Sequence, residues 1–345
     1  MCIFIEYKKT KMIKFLRFSL ILFLVACNST SGITEKELPE LPQKDYDFTI
    51  VFGSCNDQDN PQPLWQPILN NNPDAFIWGG DNIYADTPDM GKMKEMYEFQ
   101  QNVEGYQKLV NTAVVLGTWD DHDFGKNNAG KEWEKKAESQ QLFLDFMNVP
   151  KDDMRRDREG VYYAKDLKAD RKTIKVILLD TRYFRDLISE GREGTILGDA
   201  QWNWLENELN NSTADYHIIM SSIQVLSRQH RFEKWANFPE DRQRLLDLIV
   251  SSGIKNPIII SGDRHISEFS KMDIEGLEAP LYDFTSSGMT HVYEAFNGEP
   301  NKYREGDVIF ELSFGVLNFD FENEVVNMQM RGVENVLLQE TSVKF

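Results

Sequence analysis

The sequence predicts an α/β fold with a functional site along one edge of its β-sheets. Six short apolar segments have the length and composition of buried strands, and polar residues follow each of them. Helical patterns of apolar residues occupy the stretches between these segments. The chain has 345 residues, of which 41% are hydrophobic, so it can form one large core. We therefore expect a single folded domain whose loops bring the polar residues together.

The predicted strands alternate with predicted helices along the chain. Strands are predicted at residues 47–52, 75–78, 113–116, 175–179, 217–220 and 257–260. Helices are predicted at residues 93–110, 133–147, 199–209 and 240–251. Gly198 and Asp199 form a capping signal for the third helix. From Val308 onward apolar and polar residues alternate, which predicts β structure at an exposed edge.

The N-terminal residues predict export and anchoring at a membrane. Basic residues precede an apolar run at residues 18–26, which is too short to span a bilayer and fits a signal peptide. The Leu-Val-Ala-Cys sequence that ends at Cys27 resembles a bacterial lipobox, whose cysteine carries the lipid. The expected segments are a lipoprotein signal peptide at residues 1–27, a tether at 28–46 and the folded domain at 47–345. The protein would then be an anchored lipoprotein in the periplasm or at the cell surface, unless Cys27 is a chance residue of a plain secretory signal.

Charge and cysteine content narrow the possible functions. The formal net charge is −18 and 56 acidic residues are spread along the chain, so a nucleic-acid coat is not expected. Cys55 is the one cysteine of the predicted domain, which excludes an internal disulfide there. Cys55 is therefore either a small buried apolar residue or a thiol with a chemical function.

Two turns after predicted strands each pair a carboxylate with another type of metal ligand. Asp81 and Tyr84 are three residues apart after two glycines, so both oxygens can face one ion. Asp263 and His265 follow the last predicted strand and pair a carboxylate with an imidazole. Carboxylate, phenolate and thiolate together suit ferric iron, whereas oxygen ligands alone favour calcium. Taken singly, Asp81 is also typical of a turn and His265 of a structural histidine.

The acidic loop after the third predicted strand is the stronger signal for metal binding. Asp120, Asp121 and Asp123 surround His122, and three carboxylates in one folded loop repel each other unless cations compensate them. Asn128 follows closely and can complete a cation shell through its amide oxygen. A solvated acidic loop without a metal is the alternative.

Taken in order, these motifs resemble those of the PhoD-like alkaline phosphatase family, which belongs to the metallophosphatase superfamily. The motifs are Gly-Ser-Cys, Gly-Asp-x-x-Tyr, Trp-Asp-Asp-His-Asp with a trailing Asn-Asn, and Gly-Asp-x-His. The resemblance covers roughly residues 48–340. It implies a four-layer αββα sandwich with the metal site at the C-terminal ends of the strands. Two departures are expected: no N-terminal β-sandwich module before Cys55, and an unusual Arg264 in the last motif.

The resemblance also implies a metal cluster of one Fe³⁺ and one or two Ca²⁺ ions. The residues in the positions of the iron ligands are Cys55, Asp81, Tyr84 and His265. Asp81 would bridge to a calcium ion that also takes Asp121 and Asp263. A second calcium ion would use Asp123 or Asn128.

The resemblance further implies a metal-dependent phosphoesterase, acting as an alkaline phosphatase or phosphodiesterase. A hydroxide held between iron and calcium is the expected nucleophile. We expect His122 to contact the phosphate or to protonate the leaving oxygen; the acid role requires either a pKa raised by Asp120 and Asp123 or a leaving group that needs little help. Gln224 stands where related enzymes place a histidine and is a candidate ligand or substrate contact. Arg264 would bind either phosphate or a neighbouring acidic residue.

Several other residues and two alternative functions stay open. His291 is a candidate for the cleft, His217 and His230 are expected to be structural, and Arg182 and Arg228 are candidate substrate contacts. The alternatives are a phospholipase C-like enzyme acting on lipid head groups and a non-catalytic surface lipoprotein that binds calcium or phosphate. The expected partners are a phosphate ester and, through the lipid anchor, a membrane, and the protein is expected to be a monomer.

Overall fold

The computed structural model describes residues 46–345, whose strands and helices alternate in the first two thirds of that range. The strands are β1 (Phe48–Gly53), β2 (Ala75–Gly79), β3 (Val114–Thr118), β4 (Tyr163–Ala169), β5 (Lys172–Leu178), β6 (Tyr216–Ser221), β7 (Pro257–Ser261), β8 (Ser267–Met272), β9 (Leu281–Ser286), β10 (Arg304–Ile309), β11 (Ser313–Asp320), β12 (Val325–Gly332) and β13 (Leu337–Lys344). The α-helices are α1 (Trp65–Asn70), α2 (Met90–Gln101), α3 (Glu104–Thr112), α4 (Asp121–Phe124), α5 (Lys136–Phe146), α6 (Gly198–Asn210) and α7 (Pro239–Ser251).

The strands form two mixed sheets that pack face to face. The first sheet has the order β13-β12-β11-β1-β2-β3, in which β1, β2 and β3 are parallel. The second has the order β10-β8-β9-β7-β6-β5-β4, in which β5, β6, β7 and β9 are parallel. An edge-to-face contact between Phe52 and Phe284, with ring centroids 4.8 Å apart, joins β1 of one sheet to β9 of the other.

Alternation along each buried strand produces the four layers. Ile50 in β1 and Ile218 in β6 belong to one apolar core between the two sheets. Val51, the next residue in β1, packs instead with helices α1, α2, α3 and α5 on the outer face of the first sheet. Ile219 in β6 packs with α6 and α7 on the outer face of the second sheet. This period of two confirms the α/β class and the αββα sandwich that the sequence predicts.

The six predicted strands are confirmed, with ends that differ from the predictions by a few residues. The predicted helix at residues 93–110 is wrong as a single helix, because Asn102 ends α2 and Val103 is extended (φ −63°, ψ 120°) before α3 begins. The capping signal at Gly198 and Asp199 is also wrong in detail. Leu197 precedes α6 without a side-chain cap, and Asp199 lies in the first turn, where its charge still favours the helix dipole.

The prediction that the C-terminal segment forms β structure at an exposed edge is confirmed for β13, which is an edge strand, but it is wrong for β11. β11 lies between β1 and β12 in the interior of the first sheet, and its first seven residues are buried. Alternate β11 residues serve different cores, since Val316 faces the helices and Leu317 faces the second sheet. A strand that is buried on both faces reads almost continuously apolar, so its alternation with Asn318 and Asp320 was misleading.

The predicted signal peptide, the lipidation site at Cys27 and most of the tether lie outside the described residues. Among the residues that the structure describes, none of the helices is long and apolar enough to cross a bilayer.

Candidate metal centre

The polar residues that follow the parallel strands meet at one end of the sandwich. Cys55 follows β1, Asp81 follows β2, Asp121 follows β3, and Asp263 with His265 follows β7. Carboxyl ends of parallel strands lie at the same edge, which is why turns from distant parts of the chain converge there. Two backbone hydrogen bonds, from Cys55 N to Gly80 O and from Asn56 N to Asp81 O, tie the first two turns together.

Left-handed backbone conformations occur in three of these turns. Cys55 (φ 59°), Asp81 (φ 51°), Asp263 (φ 67°) and His265 (φ 55°) all have positive φ although none is glycine. Such conformations cost of order 1–3 kcal/mol each and persist where the surrounding structure imposes them, often at functional sites. Gly80 (φ 95°) is required for a steric reason too, because a Cβ there would lie 2.6 Å from Cβ of Asp120.

One group of ligand atoms forms around the thiol. Atoms of Cys55, Asp81 and His265 all lie within 4.8 Å of one another. The Tyr84 hydroxyl lies 3.2 Å from Nε2 of His265 and 3.4 Å from Oδ2 of Asp81. Sulfur, phenol, carboxylate and imidazole thus surround one point, as predicted for the first ion.

A second group consists of carboxylates alone. Oxygen atoms of Asp81, Asp120, Asp121 and Asp263 lie within 4.8 Å of one another, so Asp81 is common to both groups. Oδ2 of Asp120 and Oδ1 of Asp121 are buried and have no hydrogen-bond partner among the described residues. Buried acceptors without donors are costly, and a cation is the partner that satisfies several carboxylates at once. The donor set therefore fits a two-metal centre bridged by Asp81.

The acidic group is electrostatically unfavourable without cations. Burial, and then the charges of Asp121 and Asp120, raise the pKa of Asp81 well above its usual value. Burial and the same neighbours raise the pKa of Asp263 in the same way. The pKa of Asp121 is instead lowered, because Arg182, His122 and the backbone N–H of Asn128 outweigh its burial.

Arg182 provides the main built-in positive charge. Its Nε donates to Oδ1 of Asp120 at 2.5 Å and its Nη1 donates to Glu233 at 2.7 Å, and all three side chains are buried. Arg182 is therefore a support for Asp120 and not the substrate contact that the sequence suggested. Asp120 was predicted as part of the acidic loop and as an influence on His122 but not as a ligand, and its place among the ligand atoms became visible only with the fold. Arg228, the other suggested contact, is exposed and lies outside the residues that line the cleft described below.

Asp123, predicted as a calcium ligand, has other partners in the structure. Its Oδ1 accepts from the backbone N–H groups of Asp120 (2.7 Å) and Asp81 (3.2 Å). Its Oδ2 accepts from the backbone N–H (3.2 Å) and the side chain (2.6 Å) of Asn82. With both oxygens engaged, Asp123 fixes the shape of the Asp81 turn, and it belongs to neither ligand group among the described residues. Burial raises its pKa to about 8.

The remaining predicted contacts differ in their distance from the centre. The backbone N–H of Asn128 donates to Asp121 at 2.5 Å, and Asn128 lines the adjoining cleft. Gln224 is fully buried and donates to Glu268 and Thr285, both at 2.8 Å, so the structure does not bring it to the cleft.

Of the two outcomes considered for Arg264, the structure shows the acidic neighbour, because its Nη2 pairs with Glu299. Arg264 nevertheless lines the cleft. A phosphate contact therefore requires that other atoms of the guanidinium remain available to a ligand.

His122 lies beside both groups. Its ring stacks on Tyr84 with centroids 4.1 Å apart, and its Nδ1 lies 2.6 Å from Oδ2 of Asp86. Burial alone would lower the pKa of His122, but the hydrogen bond with Asp86 and the charge of Asp121 raise it. The predicted direction is thus correct, with Asp86 in the role assigned to Asp123. No sequence pattern singled out Asp86, which lies 36 positions before His122.

The other histidines pack around the centre or away from it. His291 contacts the rings of His265 (4.4 Å) and Tyr84 (4.8 Å), so it braces two ligands. His217 packs away from the centre. Its Nε2 lies 2.7 Å from the Ser212 hydroxyl and its Nδ1 lies 2.6 Å from the carbonyl oxygen of Lys255, as expected of a structural histidine.

An open cleft of about 460 Å³ leads to the ligand groups. The residues that line it are Asp121, His122, Asn127, Asn128, Ile188, Arg231, Phe232, Glu233, Asn237, Asp263, Arg264, His265 and Tyr293. A volume of this size accommodates a small organic molecule beside the ions.

Comparison with known proteins gives one family. A model of the PhoD-like phosphatase family matches residues 50–330. Alkaline phosphatase D of Bacillus subtilis (strain 168) is 25% identical over 278 residues, which are 66% of this chain and 47% of that protein. The chain therefore spans about half the length of this curated relative.

Solved structures share the fold. A structure of PhoD has a TM-score of 0.67 at 17% identity, covering 86% of this chain and 69% of that chain. A protein described as the anchor in the inner membrane complex of Plasmodium has a TM-score of 0.60 at 13% identity, covering 86% and 89%. A dimetal phosphatase from Danio rerio has a TM-score of 0.52 at 12% identity, covering 87% and 100%.

The shared ligand Asp81 leads to a prediction with opposite signs in the presence and absence of metal. In metal-loaded protein, Asp81→Asn should lower the thermal unfolding midpoint and the content of both ions, because bound ligand at 100 times its Kd contributes about 2.7 kcal/mol. In a chelator, the same variant should unfold about 2–4 °C above the wild type, because it removes an unfavourable buried charge. Calorimetry and elemental analysis measure both effects.

Asp152→Asn, at an exposed position of a turn outside the helices, is the matched control and should change neither quantity. An Asp81→Asn protein that retains both ions would contradict the bridging position of Asp81.

Proposed function

Because the chain belongs to the PhoD-like phosphatase family, we propose that it is a metal-dependent phosphoesterase that hydrolyses phosphate esters. The observation that carries this proposal is the pair of ligand groups sharing Asp81 at the base of an open cleft. Two ions at such a site lower the pKa of a coordinated water and neutralise charge on the phosphoryl oxygens during in-line displacement. The proposal covers phosphomonoesters and phosphodiesters.

We propose Fe³⁺ for the group of Cys55, Asp81, Tyr84 and His265, and Ca²⁺ for the carboxylate group. Burial raises the pKa values of Cys55 and Tyr84 well above their usual ranges in the metal-free site. Both residues therefore bind as anions only by releasing protons to the solvent as the ion enters. A trivalent ion offsets that cost better than a divalent one, and the oxygen-only group suits calcium.

The side chains have separate roles in this proposal. Asp81 would be a ligand of both ions, while Arg182 holds the Asp120 carboxylate in place by donating from Nε to Oδ1. His122 is placed to hold a proton for the leaving oxygen, because Asp86 fixes its Nδ1 and raises its pKa after burial is taken into account. Export and lipid anchoring through Cys27 remain part of the proposal on the N-terminal sequence alone.

The first prediction concerns the activity itself. Metal-loaded protein should release p-nitrophenol from p-nitrophenyl phosphate or from its bis-ester at alkaline pH, and a calcium chelator should abolish the release. Asp121→Asn should lower the rate by about 100-fold or more, because even outer partners of metal ligands are worth 10–100-fold. Asp199→Asn should match the wild type. Fully loaded protein that turns over neither ester would refute the proposed function and favour a binding protein.

The second prediction concerns the leaving group. His122→Asn should reduce phosphate release from glycerol 3-phosphate by about 100-fold, the lower range for general acid catalysis. Hydrolysis of p-nitrophenyl phosphate should fall less than tenfold, because p-nitrophenolate leaves without a proton. Asp86→Asn should also lower both rates, but each by a smaller factor than His122→Asn does. Equal losses on both esters would instead make His122 a phosphate contact.

The third prediction concerns the first ion. The purified protein should contain iron and absorb visible light, because phenolate and thiolate ligands transfer charge to ferric iron. Tyr84→Phe should shift or remove the band, while Tyr303→Phe, a half-buried tyrosine away from the ligands, should leave it unchanged. Colourless, iron-free protein with full activity would overturn the iron assignment.

A further inference from the structure

One wall of the cleft carries positive charge that the ligand groups do not use. Four residues form this wall, and we call it the cationic wall: Arg231, Phe232, Arg264 and Tyr293. They line the same cavity as Asp121 and Asp263, so a molecule bound at the ions lies beside them.

Aromatic rings hold the two guanidinium groups in place. The Cζ atoms of Arg264 and Arg231 lie 4.3 and 4.9 Å from the ring centroid of Phe232. The Phe232 ring packs edge to face on Tyr293 at 5.6 Å, and Nη2 of Arg231 donates to the Tyr293 hydroxyl at 3.4 Å. Cation–π contacts fix the position of a guanidinium without neutralising its charge.

The wall keeps a surplus of positive charge. Arg231 is exposed and pairs with no carboxylate among the described residues. Arg264 is 3% exposed, and although its Nη2 pairs with Glu299, its Nε has no hydrogen-bond partner within residues 46–345. Glu233, the other acidic residue of this side of the cleft, is already bound by Arg182 and Arg185.

Of the two residues described behind the wall, Lys234 adds to this charge and His230 does not. Lys234 is buried and directs its ammonium group to the carbonyl of Phe232. His230 is also buried, and neither of its ring nitrogens has a partner among the described residues. Burial, and then Arg264 and Lys234, lower the pKa of His230 to about 2, so the histidine stays neutral and adds no charge to the wall.

We propose that the cationic wall is a second anion subsite, which selects phosphate esters whose alcohol part carries a further negative charge, such as a carboxylate or a second phosphate. The phosphate to be cleaved would be bound by the ions, so the guanidinium of Arg231 is left for another anionic group, beside the charge of Arg264. This inference rests on the proposed phosphoesterase function and adds a substrate class to it. The net charge of −18 repels anions at long range, but salt screens that repulsion. An arginine that contacts the substrate directly can therefore still select esters with a further negative group.

Two esters that differ only in this charge provide the test. Glycerol 3-phosphate and 3-phosphoglycerate both have a primary alkoxide leaving group, and only the second has a carboxylate. For metal-loaded wild type, kcat/KM measured by phosphate release should be about tenfold higher for 3-phosphoglycerate, which corresponds to about 1.4 kcal/mol. Arg231→Gln should reduce this ratio by about fivefold or more, and Arg231→Lys should restore part of it.

Arg228→Gln is the matched control, because Arg228 is an exposed arginine of the same segment that does not line the cleft. It makes the same change in net charge and should leave the ratio within about twofold of wild type. A wild-type ratio near one, or equal effects of the two Arg→Gln variants, would overturn the subsite while leaving the phosphoesterase intact. Phosphate release from neither ester would overturn the proposed function and the subsite together.

Discussion

The crowding of buried carboxylates at the strand ends is the constraint on which the rest of the site depends. Asp81, Asp120 and Asp121 are buried and Asp263 is half-buried, and their oxygens lie within 4.8 Å of one another, where water screens their charges only weakly. Arg182 balances only part of this charge. The folded protein therefore holds a localised cluster of negative charge that bound cations would neutralise. The same cations would be the partners of the Asp120 and Asp121 oxygens that accept no hydrogen bond.

The packing of the sandwich offsets the free-energy cost of the buried charges and of the strained turns at the site. Three apolar clusters, one between the sheets and one under each helical layer, fix the strands to which the ligand turns are attached. Rigid attachment at both ends lets Cys55, Asp81 and His265 keep positive φ angles that a free loop would avoid. The Asp123 carboxylate accepts hydrogen bonds from three backbone N–H groups of these turns. These bonds fix the position of Asp81 relative to the rigid strands.

Much of the fold and of the ligand positions could be predicted from the sequence. A polar residue that directly follows a buried parallel strand must lie at the carboxyl edge of the sheet, so its position can be inferred from its place in the chain. The α/β class and the turns carrying Cys55, Asp81 and Asp263 depend only on local patterns and on parallel strand order. Partner choice does not. Asp86 beside His122 and Arg182 beside Asp120 are contacts across 36 and 62 positions, set by how the layers pack. The interior position of β11 was hidden for the same reason, since strand order is a tertiary property.

The two sides of the cleft carry opposite charges, because different parts of the structure hold the acidic and the basic side chains. The base of the cleft is acidic and would be compensated by bound cations, whereas its wall is basic and is held by the rings of Phe232 and Tyr293. Arg182 cannot serve the wall, because Asp120 and Glu233 engage it in the interior. Arg231 remains the exposed charge at the cleft, and an exposed guanidinium loses little hydration energy when an anion binds to it. Under the proposed function, a ligand with two negative groups would therefore bind in one orientation, with one group at the ions and the other at the wall.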